Sequence, residues 1–306
     1  MIDILTGFAV ISLAVFVGWL AARLGVLGPG ARPVLAKLNF NVLAPFLLFS
    51  VLSTSDVGAL FSVLLPVSAI AAVAMMLVFA LVSLAIWRRG VPRTVIGSLA
   101  SGYVNGNNFG IPIAVYMLGD AAYSAPVVLL QLLLFAPVAL AVLGATVEGR
   151  TSAWVIVRST LTNPIIVGSL LGVLVAVTGV ELPPIVLEPI ELIGNAAVPL
   201  MLLAYGLSLH GQRLLEPGSG RRDVLLASTL KLAVMPVVAW AVGRFAFGLD
   251  GLDLYAVTVL AALPTAQNVF VFAQRYETAE VVARDTVFVT TVASLPVLLV
   301  VALLLG

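Results

Sequence analysis

The sequence predicts an all-α polytopic membrane protein of ten transmembrane helices, built as two five-helix halves of inverted topology with broken, crossing helices at the fourth and ninth positions. Three observations lead to this. Of the 306 residues, 62% are apolar and only 9% charged, against about a quarter charged in an ordinary soluble domain. Arginines gather in every second connection between apolar runs. Polar, proline-bearing interruptions also recur five runs apart.

A helix crossing hydrocarbon takes roughly 20 apolar residues, so ten crossings with short connections use nearly the whole chain and leave no room for a sizeable soluble domain. The runs lie at 4–22, 33–53, 59–87, 94–118, 122–146, 154–178, 190–209, 224–247, 254–274 and 281–305. The first has an acidic flank, Asp3, and no small-residue cleavage site, and reads as a retained span rather than a signal peptide. Connections after odd-numbered runs carry Arg23, Arg32, Arg88, Arg89, Arg93, Arg150, Arg158, Arg213, Arg221, Arg222, Arg275 and Arg284, whereas those after even-numbered runs carry only Arg244. Positive loops stay in the cytoplasm, so both termini are expected outside. Asp56, Asp120, Glu181, Glu188, Asp250 and Asp253 fall in the outward connections and agree.

The halves, 1–150 and 151–306, are related by recurring polar residues. Asn41-Val-Leu-Ala-Pro45 in the second run matches Asn195-Ala-Ala-Val-Pro199 in the seventh, at an offset of 154. Asn107-Asn108 in the fourth matches Gln267-Asn268 in the ninth at 160, and Pro137 matches Pro296 at 159. Pro66 and Pro236 do not align, so the third and eighth runs lend no support. A five-helix unit repeated in tandem inserts its second copy upside down, an architecture common among secondary transporters.

The fourth run reads Ser101-Gly-Tyr-Val-Asn105-Gly-Asn107-Asn108-Phe-Gly110-Ile-Pro112. Pro112 lacks an N–H and clashes with the preceding turn, and each backbone polar group freed in hydrocarbon costs several kcal/mol or so if unmet. Irregular backbone at such depth survives where it is buried in protein or lines a cavity. Asn is favoured at a helix cap and Pro at the first helical position, so a second half-helix is expected to start around Asn108 to Pro112. The ninth run repeats the arrangement with Pro264-Thr265-Ala-Gln267-Asn268. Two half-helix amino ends, with neutral amides as further donors, suit an anion such as a carboxylate. The opposing reading is a pair of proline kinks whose amides only glue helices together.

The candidate substrate-binding residues are Asn105, Asn107, Asn108, Gly110, Pro112, Pro264, Thr265, Gln267 and Asn268, with Asn41 and Asn195 from the other repeated motif. The chain has no cysteine, its lone His210 lies in a polar loop, and no His/Glu metal spacing, serine dyad or paired Asp falls within the runs. Neither an enzyme nor a cofactor is therefore expected, and the net charge of +1 suggests no nucleic-acid partner. All fourteen carboxylates fall in loops or near run ends. Lys37 and Lys231 lie a few turns inside the second and eighth runs and are expected to snorkel to the cytoplasmic headgroups, with an ion-pairing or gating role for the deeper Lys231 as the alternative. A passive channel could use the same polar midplane.

In the Asn-Gly-Asn-Asn-Phe-Gly-Ile-Pro segment ending at Pro112, in the Pro264–Phe272 segment and in the run count, the chain resembles the auxin efflux carrier family, which includes plant PIN carriers and bacterial members. The resemblance implies a fold like that of bile-acid:sodium symporters, with helices 4 and 9 crossing at their prolines beneath the substrate. It implies a scaffold of helices 1, 2, 6 and 7, often a homodimer interface, and an elevator-like transport domain of helices 3–5 and 8–10. It further implies the inner membrane of a bacterium as the site of residence and a small organic anion, auxin-like or malate- or malonate-like, as substrate. A sodium-coupled symporter is the rival within transporters. The long cytoplasmic loop of the plant carriers is reduced here to about ten residues around Glu148 to Ser152.

Overall fold

The computed structural model describes residues 2–28, 30–54, 63–148, 154, 158, 162, 164–211 and 220–306. Arg150 and Arg213 of the arginine pattern, and Asp56, lie outside the described residues. The described chain is all-helical: α1 (Ile2–Arg23), α2 (31–53), α3 (Leu64–Ile86), α4a (Val91–Gly102), α4b (106–118), α5 (Ala122–Val147), α6 (Pro164–Thr178), α7 (184–209), α8 (Arg221–Ala246), α9a (Gly251–Ala262), α9b (Gln267–Arg275) and α10 (Glu280–Leu305). Among the described residues α3, α5, α8 and α10 are long and apolar enough to cross a bilayer. Shorter apolar stretches occupy Ser12–Arg23, Asn41–Ser53, Pro164–Thr178 and Gly251–Ala262. Side chains such as Leu81, Leu192 and Leu304 are largely exposed, which hydrocarbon tolerates and water does not. The protein is a multi-pass membrane protein.

Two compact units form. The first comprises residues 1–61, 111–125 and 159–212. Its helices meet through glycines, as membrane helices do when backbones must approach closely. A Cβ on Gly172 of α6 would lie 2.8 Å from Phe49 O of α2, and one on Gly194 of α7 would lie 2.8 Å from Leu47 N of α2. Gly18 and Gly206 let α1 and α7 touch in the same way. Gly119, at φ +84°, ends α4b, and Asp120 caps the next turn by accepting from Ala122 N at 2.8 Å.

The second unit comprises residues 62–110, 126–158 and 213–306. Gly97 lets α4a settle against the ring of Phe79 on α3. Two stretches of this unit match in detail. Both α3 and α8 finish in a π-helical turn, Val82–Ile86 and Val242–Ala246, closed by Arg89 N on Ser83 O (2.8 Å) and Leu249 N on Gly243 O (2.9 Å). α4a and α9a each have 12 residues and begin 160 positions apart. Ser68 on α3 and Ser228 on α8, also 160 apart, are both buried. The third and eighth runs, whose prolines do not align, thus resemble each other in terminal geometry. At the start of α8 the fully buried Asp223 accepts from Arg93 Nη2 at 2.8 Å and Arg89 Nη2 at 3.3 Å, tying α8 to the beginning of α4a.

Candidate functional site

The fourth and ninth helices are interrupted where Asn, Gly and Pro accumulate, and within the second unit the two interruptions pair with each other. Val104 and Thr265 form an antiparallel bridge, isolated from any strand. Asn105 N donates to Pro264 O at 2.7 Å and Ala266 N donates to Tyr103 O at 2.9 Å. Extended backbone in a low-dielectric interior must find partners, and each break supplies them to the other. Thr265 makes two further bonds: its hydroxyl donates to Ala100 O near the carboxyl end of α4a at 2.6 Å, and its amide donates to Thr290 Oγ1 of α10 at 3.1 Å. Gln131 of α5 donates through Nε2 to Val104 O at 2.8 Å. The crossing is thereby held by side chains from α5 and α10 as well as by its own backbone.

The second half-helix of the fourth interruption starts earlier than expected. α4b begins at Gly106, not at Asn108–Pro112, with a π-helical turn in which Phe109 N and Gly110 N both donate to Asn105 O, at 3.3 and 2.8 Å. The wide turn lets the chain run into Ile111–Ile113 although Pro112 has no N–H to give. In the ninth helix α9b starts at Gln267 behind Ala266, with no side-chain cap. The structure thus brings Asn105, Pro264 and Thr265 together at the bridge, with Asn107 and Asn108 in the first turn of α4b and Gln267 and Asn268 in the first turn of α9b. Asn105 and Thr265 are buried, while Asn107, Gln267 and Asn268 are half-buried. The side chain of Asn108 lies outside the description. Asn107 Oδ1 is buried and meets no protein donor, and a half-turn about its last bond presents the amide N–H groups there instead.

Other expected residues stand elsewhere. Gly110 is the last residue of the second unit's first segment, and Pro112 belongs to the first unit. Asn41 and Asn195 are also in the first unit; both are exposed, and Asn41 donates to Lys37 O one turn back at 2.8 Å.

Sequence reasoning passed over several residues. Tyr103, 1% exposed, sits between the rings of Phe135 and Phe272, each 6.4 Å away, with its hydroxyl toward the Asn268 side chain. Gln131 and Thr290 hold the breaks; an isolated amide in an otherwise apolar run was the available signal for Gln131. The snorkelling expected of Lys231 does not occur. Its side chain is fully buried and donates to Ala261 O at 2.6 Å and to Met235 Sδ at 3.3 Å, because the carboxyl end of α9a, packed beside it, offers carbonyls freed by the break. Lys37 is exposed.

A cavity of about 660 Å³ in the second unit, bordered by Pro236, Trp240, Pro296 and Val300, is almost wholly apolar. The one hydroxyl there, Thr258, already donates to Leu254 O at 2.7 Å. Trp240 is the other lining residue with a hydrogen to donate, through its indole N–H. The amino ends of α4b and α9b are polar by contrast, with Asn107, Gln267 and Asn268 half-buried there.

Comparison with known proteins bears on the family. A family profile described as "Membrane transport protein" matches residues 3–150 and 148–302. "Probable auxin efflux carrier component 5b" of Oryza sativa is 34% identical over 51% of this chain and 44% of its own length. "Putative malonate transporter" of Rhizobium meliloti is 28% identical over 92% of this chain and 89% of its own length. "Auxin efflux carrier component 1" of Arabidopsis thaliana is 27% identical over 49% and 24% respectively. The chain thus spans less than half the length of these plant relatives. With both of its halves covered by the profile, the chain belongs to the membrane transport protein family of the auxin efflux carriers.

Proposed function

We propose that this protein is a secondary transporter of a small organic anion, a carboxylate of the auxin-like or malate- or malonate-like class, working by alternating access. The observation that carries the reading is the mutual pairing of the two breaks through Val104 and Thr265, which leaves two half-helices starting close behind it with Asn107, Asn108, Gln267 and Asn268 in their first turns. Helix amino ends attract negative charge without a fixed cation, so binding stays weak enough for release. The 160-residue correspondence between the ends of α3 and α8 and between α4a and α9a supports ten spans in two inverted repeats. The grouping of α1, α2, α6 and α7 in one compact unit, and of α3, α4a, α8, α9 and α10 with most of α5 in the other, supports an elevator in which the second unit carries the site. The malonate-transporter name of the relative matched along most of its length favours a small dicarboxylate. The arginine pattern and the bacterial relative favour residence in a bacterial inner membrane with both termini outside.

The test is a thermal-shift and uptake screen of the purified, reconstituted protein against mono- and dicarboxylates and indole acids. Asn107→Leu and Gln267→Leu are expected to remove the ligand-induced shift and the uptake, while each variant still elutes as a folded species. Undiminished uptake in both variants would refute the site.

A further inference from the structure

Lys231 is the eleventh of the 26 residues of α8, in the middle of an apolar span, and is fully buried. Asp223 and Asp285 are equally buried, but each is paired with arginine. Among the described residues no carboxylate comes within salt-bridge distance of Lys231; it points instead at Ala261 O, in the last turn of α9a. The final carbonyls of a helix lack intrahelical donors and carry the negative end of its dipole. In broken transporter helices such carbonyl ends are where coupling cations bind.

Hydrogen bonding alone does not require a charge here. The corresponding carboxyl end of α4a is met by a neutral group, the Thr265 hydroxyl on Ala100 O, and the position 160 residues before Lys231 is Ala71. Ala261 and Met235, the two groups to which Lys231 donates, also line a cavity of about 10 Å³ with Ser68, Gln131 and Val104. Ser68 Oγ is buried and meets no protein partner. The void is mostly apolar, and Ala261 with its end-of-helix carbonyl and Ser68 with its unmet hydroxyl are the lining residues with oxygens to offer, the hard donors that a cation such as sodium takes.

We propose that Lys231 is a tethered cation: its ammonium, held on Ala261 O at the carboxyl end of α9a beside the cavity that Ser68 and Ala261 line, takes the place of a bound monovalent metal ion. The idea rests on the transporter reading only in supposing that a charge at this crossing matters to the cycle; the site itself is a property of the folded second unit.

The experiment uses the full chain in detergent, with the thermal midpoint read in sodium, potassium, methylammonium or choline chloride at equal ionic strength. The wild type is expected to show the same midpoint in all four. Lys231→Ser, which empties the site and adds an oxygen, is expected to melt higher in sodium or methylammonium than in choline by on the order of 3 °C or more. Lys231→Met, which fills the space without charge or ligand, is expected to be indifferent. A wild type stabilised by sodium over choline overturns the proposal, as does a Lys231→Ser variant that responds to no cation or that fails to fold in every salt. No substrate enters this assay, so a chain that passes it but transports no anion sinks the transport reading and leaves the cation site standing.

Discussion

Replacing Thr265 by valine probes the crossing most directly. The two side chains have nearly the same shape, so the change removes a hydroxyl without opening a cavity. That hydroxyl is fully buried and donates to Ala100 O at 2.6 Å, a bond spanning 165 residues of sequence. Ala100 is itself 0% exposed, so its carbonyl cannot turn to water when the donor goes. Leaving a buried acceptor unmet costs about 1–3 kcal/mol. Near the middle of that range, and at roughly 2–4 °C per kcal/mol for a large domain, the midpoint should fall by about 4–8 °C in a thermal scan. Thr265→Ser keeps the hydroxyl and loses one methyl, so it should fall by less, about 1 kcal/mol in equivalent stability. A Thr265→Val protein as stable as wild type, or one more stable than Thr265→Ser, would show that the hydroxyl does not hold α4a to the ninth helix.

The remaining expectations concern each unit separately. Asp223→Asn removes the buried charge between Arg89 and Arg93 and should lower stability by about 1–2 kcal/mol, less than for a wholly buried pair because both arginines keep about a third of their surface in contact with solvent; a double-mutant cycle with Arg93→Met that returns no coupling would refute the clamp. In the first unit, Gly194→Ala drives a methyl to 2.8 Å from the Leu47 backbone and should cost about 1–3 kcal/mol as overpacking. Gly28→Ala, with nothing within 4 Å, should change the midpoint little, and equal effects from the two would contradict the packing of α7 on α2.

The positions of the breaks were legible because their causes are local. In the ninth helix Pro264 withholds an N–H at the break itself, and in the fourth the cluster of glycines and asparagines from Gly102 to Asn108 weakens the helix, whereas Pro112 lies within α4b and not at the interruption. The start of α4b was misjudged by a few residues because helix-cap preferences describe α-helical ends, whereas this end is a π turn gathered on Asn105 O. Pro66 and Pro236 do not align, and the third and eighth runs show no likeness in sequence. The π turns that end α3 and α8 carry the correspondence with sequences, Val-Ser-Leu-Ala-Ile and Val-Gly-Arg-Phe-Ala, that share almost nothing. Backbone geometry there follows from how the helix must turn into the next one, which many sequences satisfy.

By itself the sequence determined that this chain lives in a membrane and where two of its helices must be interrupted, since hydropathy and proline act over one or two helical turns. Only the tertiary structure decided what meets the backbone groups so released: Thr265 for Ala100, Gln131 for Val104, the ninth helix for the fourth, and Lys231 for Ala261. In a medium without water every freed carbonyl must take a donor from whatever is packed against it. Those donors come from elsewhere in the fold, up to 165 residues away for Thr265 and Ala100, so local pattern says that a partner is needed and packing says which one.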